Sequence, residues 1–304
     1  LAALFLLHHR TDLSIAQSTS STTTASRRYN GRTILSFALP TVIFTLTGTF
    51  LTSVGLVGVK ALVRDGSQVG YYTAASYLAA APTMLLVAFS LTLFPHLAAS
   101  IATRNQELTR AHIRSAVRYL ALVLLPGISL VLGTSPQLIS LVYPREYMVA
   151  ASFLNLLIIS TGLYSLYMVF ANAILAEGRV FLALSIPSAL VPVSLLTTWY
   201  LTAQFGPSGA AYAALLTTGA AALAAGAYVL RRFTVHLNWP SLIRIGIASI
   251  GIYGLTCIYA PHGVLIIPYY LLLGGAYLLL LCLLREINTK DLRNWRTAIS
   301  ATLH

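Results

Sequence analysis

The chain has 304 residues, of which 57% are hydrophobic and only 9% charged, and its mean hydropathy is +0.79. A soluble domain carries about 25% charged residues, so this chain lacks the polar side chains needed to cover a water-exposed surface. Uncharged runs long enough to cross a bilayer fill most of the sequence. We therefore predict an all-α polytopic membrane protein.

Residues 1–32 carry two different signals. Leu1 to Leu7 is apolar, and positive charge follows it at Arg10 instead of preceding it, which is the reverse of a signal peptide. We interpret residues 1–7 as the tail of a preceding transmembrane helix. Residues 8–32 contain the run "QSTSSTTTAS", whose small hydroxyl side chains lack periodicity and cannot bury a core. A flexible linker is predicted there.

Eight membrane spans are predicted after the linker. They cover about residues 33–60, 69–102, 117–142, 148–176, 180–203, 208–230, 243–260 and 264–284. Two of the uncharged blocks are long enough for two crossings each, and the turn sequences "QFGPSG" (204–209) and "APHG" (260–263) divide them.

The positive charges give the predicted orientation. If the linker is cytoplasmic and the spans alternate, sixteen of the nineteen Lys and Arg residues lie on the cytoplasmic side. Only Lys60, Arg64 and Arg145 lie outside. This asymmetry is the positive-inside pattern, so the net charge of +12 reports topology and not a nucleic-acid partner. The even number of spans places the C-terminus in the cytoplasm as well.

Polar residues recur on one helical face in three of the predicted spans. Span by span, these residues are Thr49 and Ser53 with Lys60, and Arg64 one turn further; Ser76, Thr83 and Ser90; and Thr161, Ser165 and Asn172. Hydroxyl and amide groups in a membrane either pack helices together or line a polar cavity, and the sequence leaves both interpretations open. For Lys60 the alternatives are snorkelling to the headgroups and a basic lining near the outer mouth of a cavity.

Two further charged groups are predicted at the cytoplasmic ends of the helices. Arg110, Arg114 and Arg118 recur every fourth residue, which favours a helix end that touches anionic headgroups over a dedicated regulatory patch. Glu177 and Arg179 flank a tight turn, where a local ion pair is favoured over a gate. The acidic residues form no pairs and no Gly-rich phosphate loop occurs, so we predict neither an enzyme nor a cofactor or metal site.

Three sequence segments resemble signatures of a known transporter family. They are "VGYYTAASYLAAAPTMLL" with "LFPHLA" (69–98), "ANAILAEGR" (171–179) and "FGPSGAAYA" (205–213). In order and spacing they are similar to polysaccharide exporters and O-antigen-type flippases of the multidrug/oligosaccharidyl-lipid/polysaccharide (MOP) superfamily. The match runs from about Thr33 to Phe233.

The resemblance implies a helical-bundle transporter of fourteen helices, in two six-helix lobes plus two C-terminal helices. On that pattern residues 1–7 end the sixth helix and residues 8–32 form a cytoplasmic interlobe linker. Residues 33–232 form the second six-helix lobe, residues 233–286 add two C-terminal transmembrane helices, and residues 287–304 form a cytoplasmic tail. The family carries an Asp about five residues before the lysine of the first of these helices, where this chain has Gly55.

The resemblance also implies a function. By alternating access, the protein would flip lipid-diphosphate-linked oligosaccharide or polysaccharide precursors across the cytoplasmic membrane, for polysaccharide biosynthesis of the cell envelope. Its partners would be the lipid-linked glycan, membrane lipids and polysaccharide-assembly proteins. One alternative is a drug/cation antiporter of the same fold, which would need acids in its cavity. The other is a membrane scaffold subunit, which needs no polar face at all.

Lys60 and Arg64 are predicted to form a basic rim at the outer end of the first span. They are two of the three basic residues that oppose the orientation bias, so something other than topology is expected to retain them. A diphosphate attracts cations more strongly as the site loses water. We therefore expect the rim to meet the diphosphate of the substrate as it leaves, and Lys60→Glu to lower export.

Overall fold

The computed structural model describes residues 31–103, 105–258, 261 and 263–284. The chain divides into two units, Leu1–Ala38 and Leu39–His304, and within the first the described residues, 31–38, are helical. All contacts and cavities discussed below belong to the second unit. The predicted segments at 1–7 and 287–304, and nearly all of the linker, lie outside the described residues.

The described residues form nine α-helices and two short 3₁₀ helices, with no strand among them. The α-helices are α1 (Gly31–Leu62), α2 (Gly66–Ala79), α3 (Ala81–Ala102), α4 (Gln106–Val142), α5 (Ala150–Ala176), α6 (Val180–Phe205), α7 (Pro207–Arg232), α8 (Trp239–Ile258) and α9 (Ile266–Leu283). The 3₁₀ helices are Arg145–Val149, before α5, and Gly263–Leu265, before α9. The prediction of an all-α chain is confirmed.

Within the described residues, six helical segments are long and apolar enough to cross a membrane. They are Val42–Leu62, Gln106–Val142, Arg145–Ala176, Val180–Phe205, Pro207–Arg232 and Trp239–Ile258, and they coincide with six of the eight predicted spans. The other two predicted spans contain shorter apolar helices, Leu93–Ala102 and Pro268–Leu283.

The second predicted span, 69–102, is two helices and not one. The chain leaves the α-helix at Ala80, between α2 and α3. Pro82 has no N–H to donate to the carbonyl of Leu78, and the N–H of Thr83 donates to the carbonyl of Ala80 over 2.9 Å instead. Because one proline ends the regular hydrogen-bond ladder, the apolar run does not form a single helix.

The central helix of the bundle is α5, which packs against α2, α3, α4, α6 and α7. Its closest partner is α7, whose buried face consists largely of small residues such as Ala210, Ala221 and Ala225. A Cβ at Gly226 would lie 2.9 Å from the ring of Phe170, so the two helices approach as closely as a glycine allows. Close packing of this kind holds membrane helices together where lipid supplies no hydrophobic drive.

Helices α8 and α9 pack against α4. The hydroxyl of Tyr277 in α9 donates to the carbonyl of Leu122 in α4 over 2.9 Å, and Thr134 shares a short hydrogen bond with Tyr270. Helix α4 kinks at Thr134, where φ is −126°. The two C-terminal helices are therefore attached to one long helix of the lobe.

Helix α6 presents a large apolar face to its surroundings. Leu196, Trp199 and Tyr200 are 72%, 63% and 62% exposed. Surfaces this apolar are unfavourable in water and favourable in lipid. The face fits a helix at the perimeter of a membrane-embedded bundle.

Candidate transport cavity

A cavity of about 900 Å³ lies between α1, α2, α3, α5 and α7. The wall on α1 runs from Phe44 to Leu56. The interrupted stretch around Ala80 contributes to the wall as well. Ten of the twenty-five lining residues are apolar, and the other fifteen carry a hydroxyl or an amide. None of the lining residues is a Lys, Arg, Asp, Glu or His, so the wall is polar without carrying a full charge.

Seven of the ten residues predicted to form a polar seam lie on this wall. They are Thr49, Ser53, Ser76, Thr83, Ser90, Thr161 and Asn172. Four helices supply them, α1, α2, α3 and α5, so the fold brings together residues whose shared face the sequence indicated only span by span.

The other three residues of that prediction, Lys60, Arg64 and Ser165, are not among those that line this cavity. Lys60 lies in the last turn of α1, one turn beyond Leu56, and its side chain is exposed. Arg64 is exposed in the connection that follows α1. Ser165 is completely buried, and its hydroxyl donates to the carbonyl of Thr161 in its own helix. Lys60 and Ser165 lie on the helical faces that the sequence indicated. The cavity ends on α1 before Lys60 and Arg64, and it does not reach Ser165 on α5.

Seven of the fourteen wall hydroxyls donate their proton to a backbone carbonyl three or four residues earlier. Thr49, Thr73, Ser76 and Thr161 donate to the carbonyl four residues earlier, over 2.7–3.0 Å. Thr52 and Thr83 donate to the carbonyl three residues earlier. A hydroxyl has one proton and two acceptor lone pairs, so a hydroxyl bonded in this way can only accept further hydrogen bonds. The wall therefore presents mainly acceptors.

Two hydrogen bonds of the wall connect different helices. The amide of Asn172 in α5 donates to the hydroxyl of Ser90 in α3 over 3.0 Å. The hydroxyls of Ser160 in α5 and Thr218 in α7 lie 3.1 Å apart. Of the two interpretations of Asn172, helix tie and cavity lining, the structure shows that both apply.

Sequence reasoning missed several polar wall residues. They are Thr52, Tyr72, Thr73, Tyr77, Ser160 and Thr218. Among them is Tyr72, although a tyrosine near a span end is typical of the membrane interface. It is instead 2% exposed, and a Cβ at Gly55 would meet its hydroxyl. The ring of Tyr72 thus fills the space that a carboxylate at position 55 would need.

A cluster of charges, which we call the charged end, lies where α5 and α7 end and α4 begins. Nε of Arg232 is 2.7 Å and Nε of Arg179 is 3.5 Å from Oε1 of Glu177. The hydroxyl of Tyr228 donates to the other carboxylate oxygen over 3.4 Å. Glu177 is only 10% exposed, and it has a local partner at Arg179 and a closer one on α7.

Arg110 and Arg114 extend the charged end along α4. Arg110 donates to the carbonyl of Phe233 over 2.8 Å and to the hydroxyl of Thr234 over 2.6 Å, and Arg114 donates to the carbonyl of His236 over 3.0 Å. Thr234 has a φ of +48°, a conformation that few residues other than glycine adopt. These two arginines therefore hold the loop between α7 and α8, and contact of this face with lipid headgroups stays a prediction.

Comparison with known proteins gives one informative result. No protein-family model and no curated protein matches the sequence. The structure is similar to that of the lipid II flippase MurJ in its inward closed conformation, with a TM-score of 0.66 and 12% sequence identity. The similarity covers 92% of this chain and 59% of that one, so the chain spans about three fifths of the flippase's length. The likeness shows that the chain has the helical transporter fold of MurJ, which confirms the predicted fold class.

Proposed function

We propose that the protein is a flippase that moves a lipid-linked glycan precursor across the cytoplasmic membrane by alternating access. The observation that carries this proposal is the cavity between α1, α2, α3, α5 and α7, with its uncharged wall of hydroxyl and amide groups. The shared fold with a solved lipid II flippase supports it. We assign oligosaccharide or polysaccharide precursors linked to a lipid diphosphate as its substrates.

The polarity of the wall suits a glycan. Sugar hydroxyls are hydrogen-bond donors, and the hydroxyls of residues such as Thr49, Ser76 and Thr161 present lone pairs because their own protons are engaged. Phosphate oxygens are acceptors only, so this wall offers them little. The glycan fits the wall, and the diphosphate needs cations that lie elsewhere.

Lys60 and Arg64 are the cations that we assign to the diphosphate. Both are exposed, and Lys60 follows the last wall residue of α1 by one helical turn, about 6 Å. That position fits a rim beyond the cavity. A compact, hydrated ammonium such as that of Lys60 binds phosphate as a point charge and releases it readily.

The two alternatives fit less well. A drug/cation antiporter binds positive substrates and requires an acidic side chain, and no Asp or Glu lies among the residues of the cavity wall. A scaffold subunit has no use for a cavity of about 900 Å³ whose wall is polar inside a membrane. Transport of a neutral, hydroxyl-rich group accounts for both features.

A pair of matched threonine variants tests the assignment. Thr161 lines the cavity, whereas Thr197 on α6 does not, and each donates to the carbonyl four residues earlier. We expect Thr161→Val to lower glycan export by about twofold to tenfold, because one acceptor is lost. Thr197→Val should leave export unchanged. The readout is labelled lipid-linked glycan reaching the outer surface of cells that express the intact protein; equal rates for both variants would exclude a glycan-binding wall.

The rim is tested separately. Lys60→Ala should reduce export with normal expression and membrane insertion, and Lys60→Glu should reduce it further, because a carboxylate repels the diphosphate. Export at the normal rate in Lys60→Glu would mean that Lys60 only reaches for the headgroups. That result would remove the rim and leave the glycan wall standing.

A further inference from the structure

A second pocket lies at the opposite end of α4 and α5 from the charged end. It has a volume of about 580 Å³ and is lined by residues that include Gln137, Ser140, Tyr143, Arg145, Met148 and Gly263. No residue lines both this pocket and the transport cavity. The function proposed above makes no use of it.

The pocket contains one buried acceptor without a partner. Oε1 of Gln137 is inaccessible to solvent, and no hydrogen-bond donor lies within reach of it among the described residues. Ser140, on the next turn, donates to the backbone carbonyl of Gln137 and not to this amide. A buried polar atom without a partner is costly, and most such atoms in proteins are paired. A ligand hydroxyl would satisfy it.

The pocket also contains one cation without a counter-ion. Arg145 is exposed, and the ion pairs between described residues all lie at Glu177, at the other end of the helices. Its neighbour Glu146 is exposed as well and forms no ion pair with it. Guanidinium groups with free donors are well suited to phosphate, which accepts two parallel N–H bonds.

Apolar and aromatic residues stand at or directly beside the lining residues Tyr143 and Met148 in the sequence. Tyr143 stacks on Tyr147 with ring centroids 5.2 Å apart. Val142, Met148 and Val149 are 57%, 43% and 55% exposed. Stacked tyrosines beside exposed apolar side chains at the end of a span are typical of the level of lipid headgroups. The ligand that fits is therefore amphiphilic.

We propose that this pocket binds the headgroup of a lipid that carries a phosphodiester together with free hydroxyl groups. Arg145 binds the phosphate, the amide of Gln137 accepts from a hydroxyl, and the exposed valines and Met148 contact the chains. Two sources share this chemistry, namely an anionic glycerophospholipid and a sugar-phosphate lipid.

Two lipids of equal charge test the proposal. Phosphatidylglycerol and phosphatidylmethanol both carry one phosphodiester, but only the first has free headgroup hydroxyls. The intact protein is titrated with each in detergent, and bound lipid is counted by native mass spectrometry. We expect phosphatidylglycerol to bind about fivefold to tenfold more tightly, as expected for one buried hydrogen bond.

Variants connect this preference to the two side chains. Arg145→Gln should lower the affinity for both lipids by about fivefold to tenfold. Gln137→Leu should lower the affinity for phosphatidylglycerol to that for phosphatidylmethanol. Gln137→Leu removes an amide whose oxygen has no partner, so its fold is not at risk. Arg231→Gln, which changes an exposed arginine of α7 outside the pocket, is the matched control and should change nothing. Unchanged binding in Arg145→Gln, or an unchanged preference in Gln137→Leu, would overturn the proposal.

A competition experiment separates the two sources. A polyprenyl-phosphate-linked hexose is added to protein loaded with phosphatidylglycerol. If the hexose lipid displaces phosphatidylglycerol at a concentration below that of phosphatidylglycerol itself, the ligand is a sugar-phosphate lipid. If it displaces phosphatidylglycerol only at a higher concentration, the ligand is a glycerophospholipid. Either result supports a hydroxylated phosphodiester site. A failure to compete at any concentration would contradict it.

Discussion

The wall of the transport cavity and the charged end satisfy their polar groups in opposite ways. On the wall, hydroxyls such as those of Thr49, Ser76 and Thr161 donate to carbonyls of their own helix. At the charged end, Arg232 reaches Glu177 on another helix, and Arg110 reaches a loop more than 120 residues away. Groups bonded within one helix keep their partners when helices move apart, and groups bonded between helices do not. Separation of the helices would therefore leave the bonds of these wall hydroxyls intact and break those of the charged end.

This difference gives alternating access a physical basis under the proposed function. Among the hydrogen bonds of the described wall residues, opening the cavity would break the two that cross between helices, Asn172 to Ser90 and Ser160 to Thr218. A transition that loses few hydrogen bonds can leave two arrangements close in free energy. Four predictions test the contrast between the two regions, and the largest effect comes first.

Glu177→Ala should be the most destabilising change. It leaves two guanidinium groups and the hydroxyl of Tyr228 without the carboxylate that they share. Because Glu177 is mostly buried, we expect the midpoint of thermal unfolding in detergent to fall by about 5 °C. Glu146→Ala, which removes an exposed carboxylate at the other end, is the control. An equal change in both variants would mean that the charged end contributes nothing particular.

Arg110→Ala should come second, with a loss of about 1–2 kcal/mol of stability, because two hydrogen bonds to the loop at 233–234 disappear. Arg110→Lys should recover only part of the lost stability, since an ammonium cannot bond both the carbonyl of Phe233 and the hydroxyl of Thr234 in the same geometry. The measurement is chemical unfolding followed by tryptophan fluorescence. Full recovery in the lysine variant would show that charge alone matters there.

Asn172 and Ser90 should show a small but measurable coupling. A double-mutant cycle with Asn172→Ala and Ser90→Ala is expected to give about 0.6 kcal/mol, the usual size for hydrogen bonds between membrane helices. Thr161→Val alone should change stability by less than about 0.5 kcal/mol, since its bond lies within one helix. A coupling of zero would assign the amide to the cavity only.

Asp65 should produce the smallest effect, confined to the start of α2. Its carboxylate accepts from the N–H and the hydroxyl of Ser67, and these bonds hold the pKa of Asp65 below its ordinary value of 3.8. A depressed pKa means that the cap stabilises the folded state at neutral pH and is lost as the pH falls through the folded value. Hydrogen exchange in the first turn of α2 should therefore rise on acidification. Asp65→Asn, which can still cap a helix, should remove that pH dependence.

The sequence predicted the spans well because long apolar runs have no alternative to helix in a membrane. It also predicted seven wall residues, because residues on one helical face tend to meet one environment. It left open whether each hydroxyl packs between helices or lines a cavity, and Ser165, on the same face as Thr161, is completely buried. It missed Thr218, whose exposure to the cavity depends on how α7 packs against α5. The periodicity of polar residues indicates which side chains share one face of a helix. Whether that face borders a cavity or another helix depends on how the helices pack.

The break at Ala80 had a signal that hydropathy does not read. Pro82 stands inside an apolar run of uniform character, and mean hydropathy treats proline as one more uncharged residue. The backbone is affected by proline, because the missing N–H interrupts the ladder of helical hydrogen bonds. The partners of Arg110 and Arg114 had no signal at all, since backbone carbonyls of a distant loop leave no trace in side-chain chemistry.

The hydrogen bonds of Arg110 and Arg114 to the loop after α7 also imply an order in which the helical bundle assembles during synthesis. The bonded residues lie 122–124 positions apart, so the acceptors are not yet synthesised when α4 enters the membrane. At about 5–20 residues per second, the two arginines wait roughly 6–25 s for their partners. During that interval the start of α4 lacks its hydrogen bonds to the loop after α7. The bundle is therefore completed from its late-arriving loop, and a nascent chain that stops near residue 232 would leave the start of α4 without its carbonyl partners.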